Sequence, residues 1–199
     1  MLFAFVSACA GKQDYVRPVP PQNTSNTVTV ERPREIVWNA SVPELGKQFF
    51  VINNLDKSSG LINISYTGDP EKYIDCGEVT SYVRNLRGER TYKFPASKAQ
   101  QVYEVMDNAG NLFGIERTMS LEGRVNLIFE EASKTSTRVT ANTRYVVTRQ
   151  ITARGVMSQI PQSSTDSISF NSNGKAVFPG DTECVATGKL EQDILSAIK

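Results

Sequence analysis

The chain contains no histidine. Histidine is the commonest general base and the commonest metal ligand near neutral pH. Its absence excludes Ser-His-Asp and Cys-His nucleophile systems and every histidine-based zinc site. Cysteine is nearly as scarce. Cys9, Cys76 and Cys184 are the only three in 199 residues, and none belongs to a Cys-x-x-Cys pair. That removes zinc-ribbon and thioredoxin-like chemistry. Neither sign of charge is in excess, with 22 Lys+Arg against 21 Asp+Glu, so the total favours no broad grip on nucleic acid. No apolar run approaches the roughly 20 residues that a spanning helix needs. These lacks point away from an enzyme, a metal and a cofactor. Carboxylate, Lys or Tyr chemistry remains; the carboxylate candidates are Glu130-Glu131 or Asp181 with Glu183, but adjacent residues of a strand such as Glu130-Glu131 face opposite sides.

What is present starts at the first residues. Met1 to Ala8 is apolar, ends in small residues, and reads as the remnant of a secretory signal over 1–8. Val6-Ser7-Ala8-Cys9 resembles the bacterial lipobox: a branched aliphatic residue, two small residues, then cysteine. The resemblance implies cleavage after Ala8, lipid on the Cys9 sulfur, and anchoring through buried hydrocarbon. It departs from the usual signal in having no Lys or Arg before the apolar run. The competing reading is a short apolar strand with a buried cysteine. Ala10-Gly11 after the cysteine, rather than Asp, implies transport to the outer membrane by resemblance to proteobacterial lipoproteins. Residues 9–26 then read as the lipidated cysteine and a flexible linker. Pro18, Pro20 and Pro21 favour extended backbone, and Gln22 to Asn26 is polar without an apolar period.

Residues 27–199 read as one domain. Thr27-Val28-Thr29-Val30 alternates as a strand. Glu31 to Phe50 reads as helix, with Pro43 expected to kink it or divide it in two. Phe49 to Ile52 enters a strand, Asp56-Lys57-Ser58-Ser59-Gly60 is turn chemistry, and Leu61 to Tyr66 alternates. Val79 to Asn85 and Ala96 to Met106 are ambiguous, and Ile115 to Leu121 is weakly strand-like. Val125, Leu127 and Phe129 alternate with polar partners, as do Val139 to Val147, which predicts an antiparallel hairpin. A smaller hairpin is predicted over Ser167 to Phe178, turning at Asn173-Gly174. Leu190, Ile194, Leu195 and Ile198 form one apolar stripe of a closing helix.

From Arg32-Pro33 through Trp38, Leu45, Phe49 and Asp56-Lys57 to Gly60 and Tyr66, the chain resembles the repeated domain of the BamC-type lipoprotein of the outer-membrane β-barrel assembly machinery. That resemblance covers less than a quarter of the chain. It implies a helix-grip fold, an antiparallel sheet packed against helices, and action through protein contacts. The expected class is therefore α+β, helix-grip-like, in a single domain. The expected function is a lipid-anchored, non-catalytic protein at the periplasmic face of the outer membrane. Its expected partners are the membrane lipid and an envelope protein, with no nucleic acid. The alternative is a module that binds a hydrophobic small molecule or lipid in a helix-grip cavity; Tyr66, Tyr92, Phe129 and Tyr145 could line one, but they read first as a packed core. The run Arg84, Arg87, Arg90 between Tyr82 and Tyr92 reads as a solvated basic loop or a contact to phospholipid or nucleic acid. If Cys9 carries lipid, Cys76 and Cys184 remain as an even number in an oxidising compartment. They are expected to bridge, the competing reading being two separate buried thiols.

Overall fold

Residues 112–155 alternate between buried and open positions for longer than any other part of the chain, and they set the architecture. In the computed structural model, which describes residues 10–22, 24–155 and 160–198, this stretch is a single hairpin of two long strands. In chain order the strands are β1 Ala10–Val16, β2 Thr27–Val30, β3 Val51–Asp56, β4 Leu61–Gly68, β5 Ile74–Asp75, β6 Glu78–Asn85, β7 Gly88–Pro95, β8 Gln100–Met106, β9 Leu112–Ser133, β10 Ser136–Gly155, β11 Gln162–Asn171, β12 Lys175–Val177 and β13 Glu183–Ala186. The helices are α1 Arg34–Gly46 and α2 Lys189–Leu195, with a 3₁₀ turn at Pro70–Lys72.

The β9–β10 hairpin is long enough to take two partners along each edge. On β10, Thr137–Thr140 pairs with β2 and Arg144–Ala153 pairs with β11. On β9, Leu121–Ile128 pairs with β4 and Leu112–Thr118 with β8; β3 closes the far side of β4. Two three-stranded sheets, β1-β6-β7 and β12-β13-β5, complete the set, and every pairing is antiparallel.

One face of the hairpin is the core. Ile115, Met119, Leu121, Val125, Leu127 and Phe129 of β9 lie on it with Val139, Ala141, Tyr145 and Val147 of β10, all buried. Three covers divide this face along its length. α1 sets Trp38 edge-on against Phe129, ring centroids 5.1 Å apart. α2 lays Leu190 over Gly123, where a Cβ would stand 2.8 Å from Leu190 Cδ2. The sheet β1-β6-β7 brings Phe94 to Tyr103 of β8 at 4.9 Å. The Cys76–Cys184 disulfide, spanning 108 residues, locks β13 and the approach to α2 onto the loop after β5.

The α+β, helix-grip expectation is overturned. The fold is β-rich, with two short α-helices among the described residues. A grip needs one helix long enough for a sheet to wrap. Here α2 has seven residues, and the inner face is shared by two helices and the β1-β6-β7 sheet. The resembling segment does form a helix followed by a hairpin, α1-β3-β4, but that unit occupies only one end of the main sheet.

Three local expectations change as well. Ala10–Val16, read as linker, pairs along its whole length with β6. Tyr15 explains why it is fixed: its hydroxyl donates to the carbonyl oxygens of Cys76 and Glu183, at 3.0 and 3.1 Å, and accepts from Glu183 N–H. Pro43 lies inside a continuous α1 and does not divide it. The expected Ser167–Phe178 hairpin does not form. β11 spends its ten residues on the open edge of β10, and β12 pairs instead with β13 across from Cys184. Asn173 takes φ 61° at the corner between the two sheets.

Candidate functional site

The other face of the hairpin is open. Midway along it the residues between the core positions are Arg124, Asn126, Asn142 and Arg144, with Glu116, Glu122 and Glu130 on the same face of β9. Asn54, Asn63, Asn126 and Asn142 stand in register on β3, β4, β9 and β10 and form a row across the sheet. Asn63 Nδ2 donates to Asn126 Oδ1 at 2.6 Å. Asn26, just before β2, extends the row by donating from Nδ2 to Asn142 Oδ1 at 3.2 Å and to the Ala141 carbonyl at 3.1 Å.

The next row contains Ser65, Arg124, Arg144 and Asn171. Arg124 and Arg144 are directly opposite, both exposed. Like charges in that position destabilise a sheet. Glu122 offsets one of them, its Oε1 lying 2.7 Å from Arg124 Nε. Arg144 donates from Nη2 to Ser169 Oγ at 3.1 Å. Among the described residues it has no carboxylate within ion-pair distance.

Arg124, Asn126, Asn142 and Arg144 of these rows floor a cleft of about 720 Å³. One wall is the segment that carries Asn26, and the other is the Asn171–Asn173 corner. The walls meet where Thr24 Oγ1 donates to Asn173 Oδ1 at 3.1 Å. The floor is braced from inside by a buried carboxylate. Glu191 of α2, 1% exposed, accepts 2.7 Å hydrogen bonds from the Ser172 and Tyr145 hydroxyls. Ser172 Oγ in turn accepts from Thr143 N–H at 2.8 Å. Burial, and then the Glu191 charge beside it, pushes the Tyr145 phenol far above its ordinary range. It stays a neutral donor, holding α2 beneath the cleft.

The cleft offers guanidinium donors and paired amide donors and acceptors, and its lining carries no carboxylate, cysteine or lysine. Such a surface suits recognition of a carboxylate flanked by amide or hydroxyl groups. It brings together no acid–base pair. No group of three or more acidic or cysteine side chains suited to a metal occurs among the described residues. No helix among them is long and apolar enough to cross a membrane.

The residues singled out from sequence are distributed differently. Cys9 and residues 1–8 lie outside the described residues. Cys76 and Cys184 are bonded to each other, as expected. The four aromatics proposed to line a cavity are not brought together for that purpose. Phe129 packs on Trp38, Tyr145 stacks on Phe170, Tyr66 meets Tyr73, and Tyr92 donates to Glu104. The helix-grip cavity falls with the helix grip. The arginine run straddles the β6–β7 turn: Arg90 is paired with Glu104, while Arg84 and Arg87 are exposed. Glu130 and Glu131 are both exposed, and buried Glu183 is 3.2 Å from Lys175 Nζ. Asp56 is turn chemistry, accepting from Ser58 and Ser59, which holds its carboxyl down at about 2. Lys57 reaches back to Glu35 of α1 at 2.8 Å.

Sequence reasoning passed over Arg124, Arg144 and the asparagine row. The signal for them was the hairpin register. Counting outward from Ala132–Ser136 brings Asn126 near Asn142 and Arg124 near Arg144, but the register shift between Ser136 and Thr137 decides the last residue. No protein-family model, no curated protein and no solved structure matches the chain.

Proposed function

We propose that this is a non-catalytic envelope protein, lipid-anchored at Cys9 on the periplasmic side of the outer membrane, which docks another protein on its open sheet face. The observation that carries the reading is the facing pair Arg124 and Arg144 in a cleft walled by asparagines. A fold concerned only with stability has no use for that repulsion, whereas a docked carboxylate relieves it. The Cys76–Cys184 bond adds support, because disulfides persist in oxidising compartments. The lipobox resemblance at Val6 to Cys9 supplies the anchor.

Site-specific photo-crosslinking in the intact envelope tests the docking. A probe at Asn142 is expected to capture a discrete protein, and Arg144→Glu is expected to abolish capture. A probe at Lys175, outside the cleft, is expected to capture nothing comparable. Equal capture from both positions would sink the docking surface. Labelled fatty acid tests the anchor separately: incorporation is expected with the full signal restored and is expected to vanish in Cys9→Ser.

A further inference from the structure

The first residue of β1, Ala10, pairs with Arg84 of β6. From there β6 runs through Asn85 into the turn Leu86–Arg87, and the chain returns in β7 from Gly88. The tip of this hairpin therefore lies beside the point where residue 9 joins the fold. A residue advances an extended chain by about 3.5 Å, and neighbouring strands are about 4.8 Å apart. A group carried on residue 9 is thus within roughly 15 Å of Leu86.

The tip has the chemistry of a lipid contact. Leu86 is 89% exposed. Arg87 has no carboxylate within ion-pair reach among the described residues, and for Arg84 the nearest, Glu89, stands at 4.0 Å. Arg90, the third arginine of the run, is turned away to Glu104. The tip is also held firmly. Asn85 Oδ1 accepts from Arg87 N–H at 2.9 Å, which orders the turn. Behind it, β1 presses on β8 so closely that a Cβ on Gly11 would stand 2.5 Å from Met106 Cβ. A leucine between guanidinia on a hydrogen-bonded turn matches the interfacial arrangement in which the apolar group enters the acyl boundary and the cations meet phosphates.

We propose that the β6–β7 tip is a membrane contact for anionic phospholipid, with Leu86 entering the headgroup–acyl boundary and Arg84 and Arg87 on the lipid phosphates. It rests on the reading of the protein as anchored at Cys9, and it adds orientation to that reading. Ala10, the residue after Cys9 in sequence, already belongs to β1, so the anchor and the tip fix the domain on the bilayer at two adjacent points, where a long tether would let it swing.

The test uses the full chain as Cys9→Ser, without acyl groups, and co-sedimentation with vesicles of phosphatidylglycerol and phosphatidylcholine. Binding is expected to weaken about tenfold or more in the Arg84→Glu/Arg87→Glu double variant, to weaken in Leu86→Asp, and to be lost on pure phosphatidylcholine. Phe49→Asp, at a residue 95% exposed in the connection from α1 to β3, is the control and is expected to bind as the parent does. In Leu86→Trp the added indole emission is expected to shift to the blue on vesicles, while that of Trp38, buried against Phe129, stays constant. Undiminished binding by the tip variants, an equal loss at Phe49, or an unshifted emission from Leu86→Trp would each overturn the proposal. Because Cys9 is absent from every arm, these outcomes are independent of fatty-acid labelling, and either reading can fail while the other stands.

Discussion

The two faces of the β9–β10 hairpin use alternate residues of the same strands under opposite constraints. On the inner face, Val125, Leu127, Phe129, Val139 and Tyr145 are buried, and each has a cover element above it. On the outer face, Asn126, Asn142, Arg124 and Arg144 stand between them with no helix or sheet packed over them among the described residues. The inner face is selected for packing, where a missing methylene is felt. The outer face carries a repulsive pair that packing does not explain. Where one strand supplies both, the face that accepts an unfavourable contact is the one to suspect of function.

The largest expected effect lies on the inner face. Phe129→Ala removes the ring that meets Trp38 and should destabilise by about 3–5 kcal/mol, whereas Asn126→Ala, on the opposite face of the same strand, should stay within about 1 kcal/mol. Equal losses in urea unfolding would erase the distinction between faces. Cys184→Ser comes next. It frees the cover that holds α2 above Gly123 and should cost about 2–5 kcal/mol.

Two inner-face arginines sharpen the comparison further, because their effects should differ in sign. Arg149, 6% exposed, is paired with Asp166 at 3.2 Å, donates to the Pro179 carbonyl at 2.8 Å, and lies over the Phe178 ring. Arg149→Met strands a partly buried carboxylate and should destabilise by about 3 kcal/mol. Arg117, 3% exposed, bonds the Ala96 carbonyl and lies over Phe94, but it has no ion pair among the described residues. Burial pulls its pKa below the usual guanidinium value; the Tyr103 phenol opposes that shift and the Arg149 charge adds to it. Arg117→Met should therefore be neutral or stabilise by about 1–2 kcal/mol. A loss at both positions would show that the carbonyl and ring contacts outweigh desolvation. The smallest expected effect is outside. Arg144→Glu replaces the repulsion with an ion pair to Arg124 and should raise stability by about 0.2–1 kcal/mol, while ending capture of a partner. A stability loss there would mean that the pair is not repulsive in the folded protein.

Much of the inner face was legible in the sequence, because its signal is local. The alternation at Val125-Leu127-Phe129 and the stripe Leu190-Ile194-Leu195-Ile198 both ended in the core. The Cys76–Cys184 bond followed from counting once Cys9 was set aside. What escaped depends on distant partners. Gly123, between the expected stretches Ile115 to Leu121 and Val125 to Phe129, is where Leu190 of α2 needs room. β1 looks like polar linker because only Tyr15 of its side chains reaches inward with hydrogen bonds, and the partners of that hydroxyl lie 61 and 168 residues away. The helix-grip expectation came from a helix–hairpin unit that is real but small. The arginine pair needs register across β9 and β10, which composition does not contain.

The bonds of Tyr15 also impose an order in time. One phenolic hydroxyl of the first strand joins the carbonyl of Cys76 and both backbone groups of Glu183. A chain delivered from its N-terminus presents β1 long before either partner exists. Even its strand partner β6 arrives about 70 residues later, since Ala10 pairs with Arg84 and Val16 with Glu78. β1 can pair once β6 has followed, but the Tyr15 hydroxyl lacks its Glu183 partners until about 100 further residues are delivered. A stall in delivery before Glu183 leaves the Tyr15 hydroxyl half-satisfied and Cys76 without Cys184, so the seal between β1, the loop after β5 and β13 closes late.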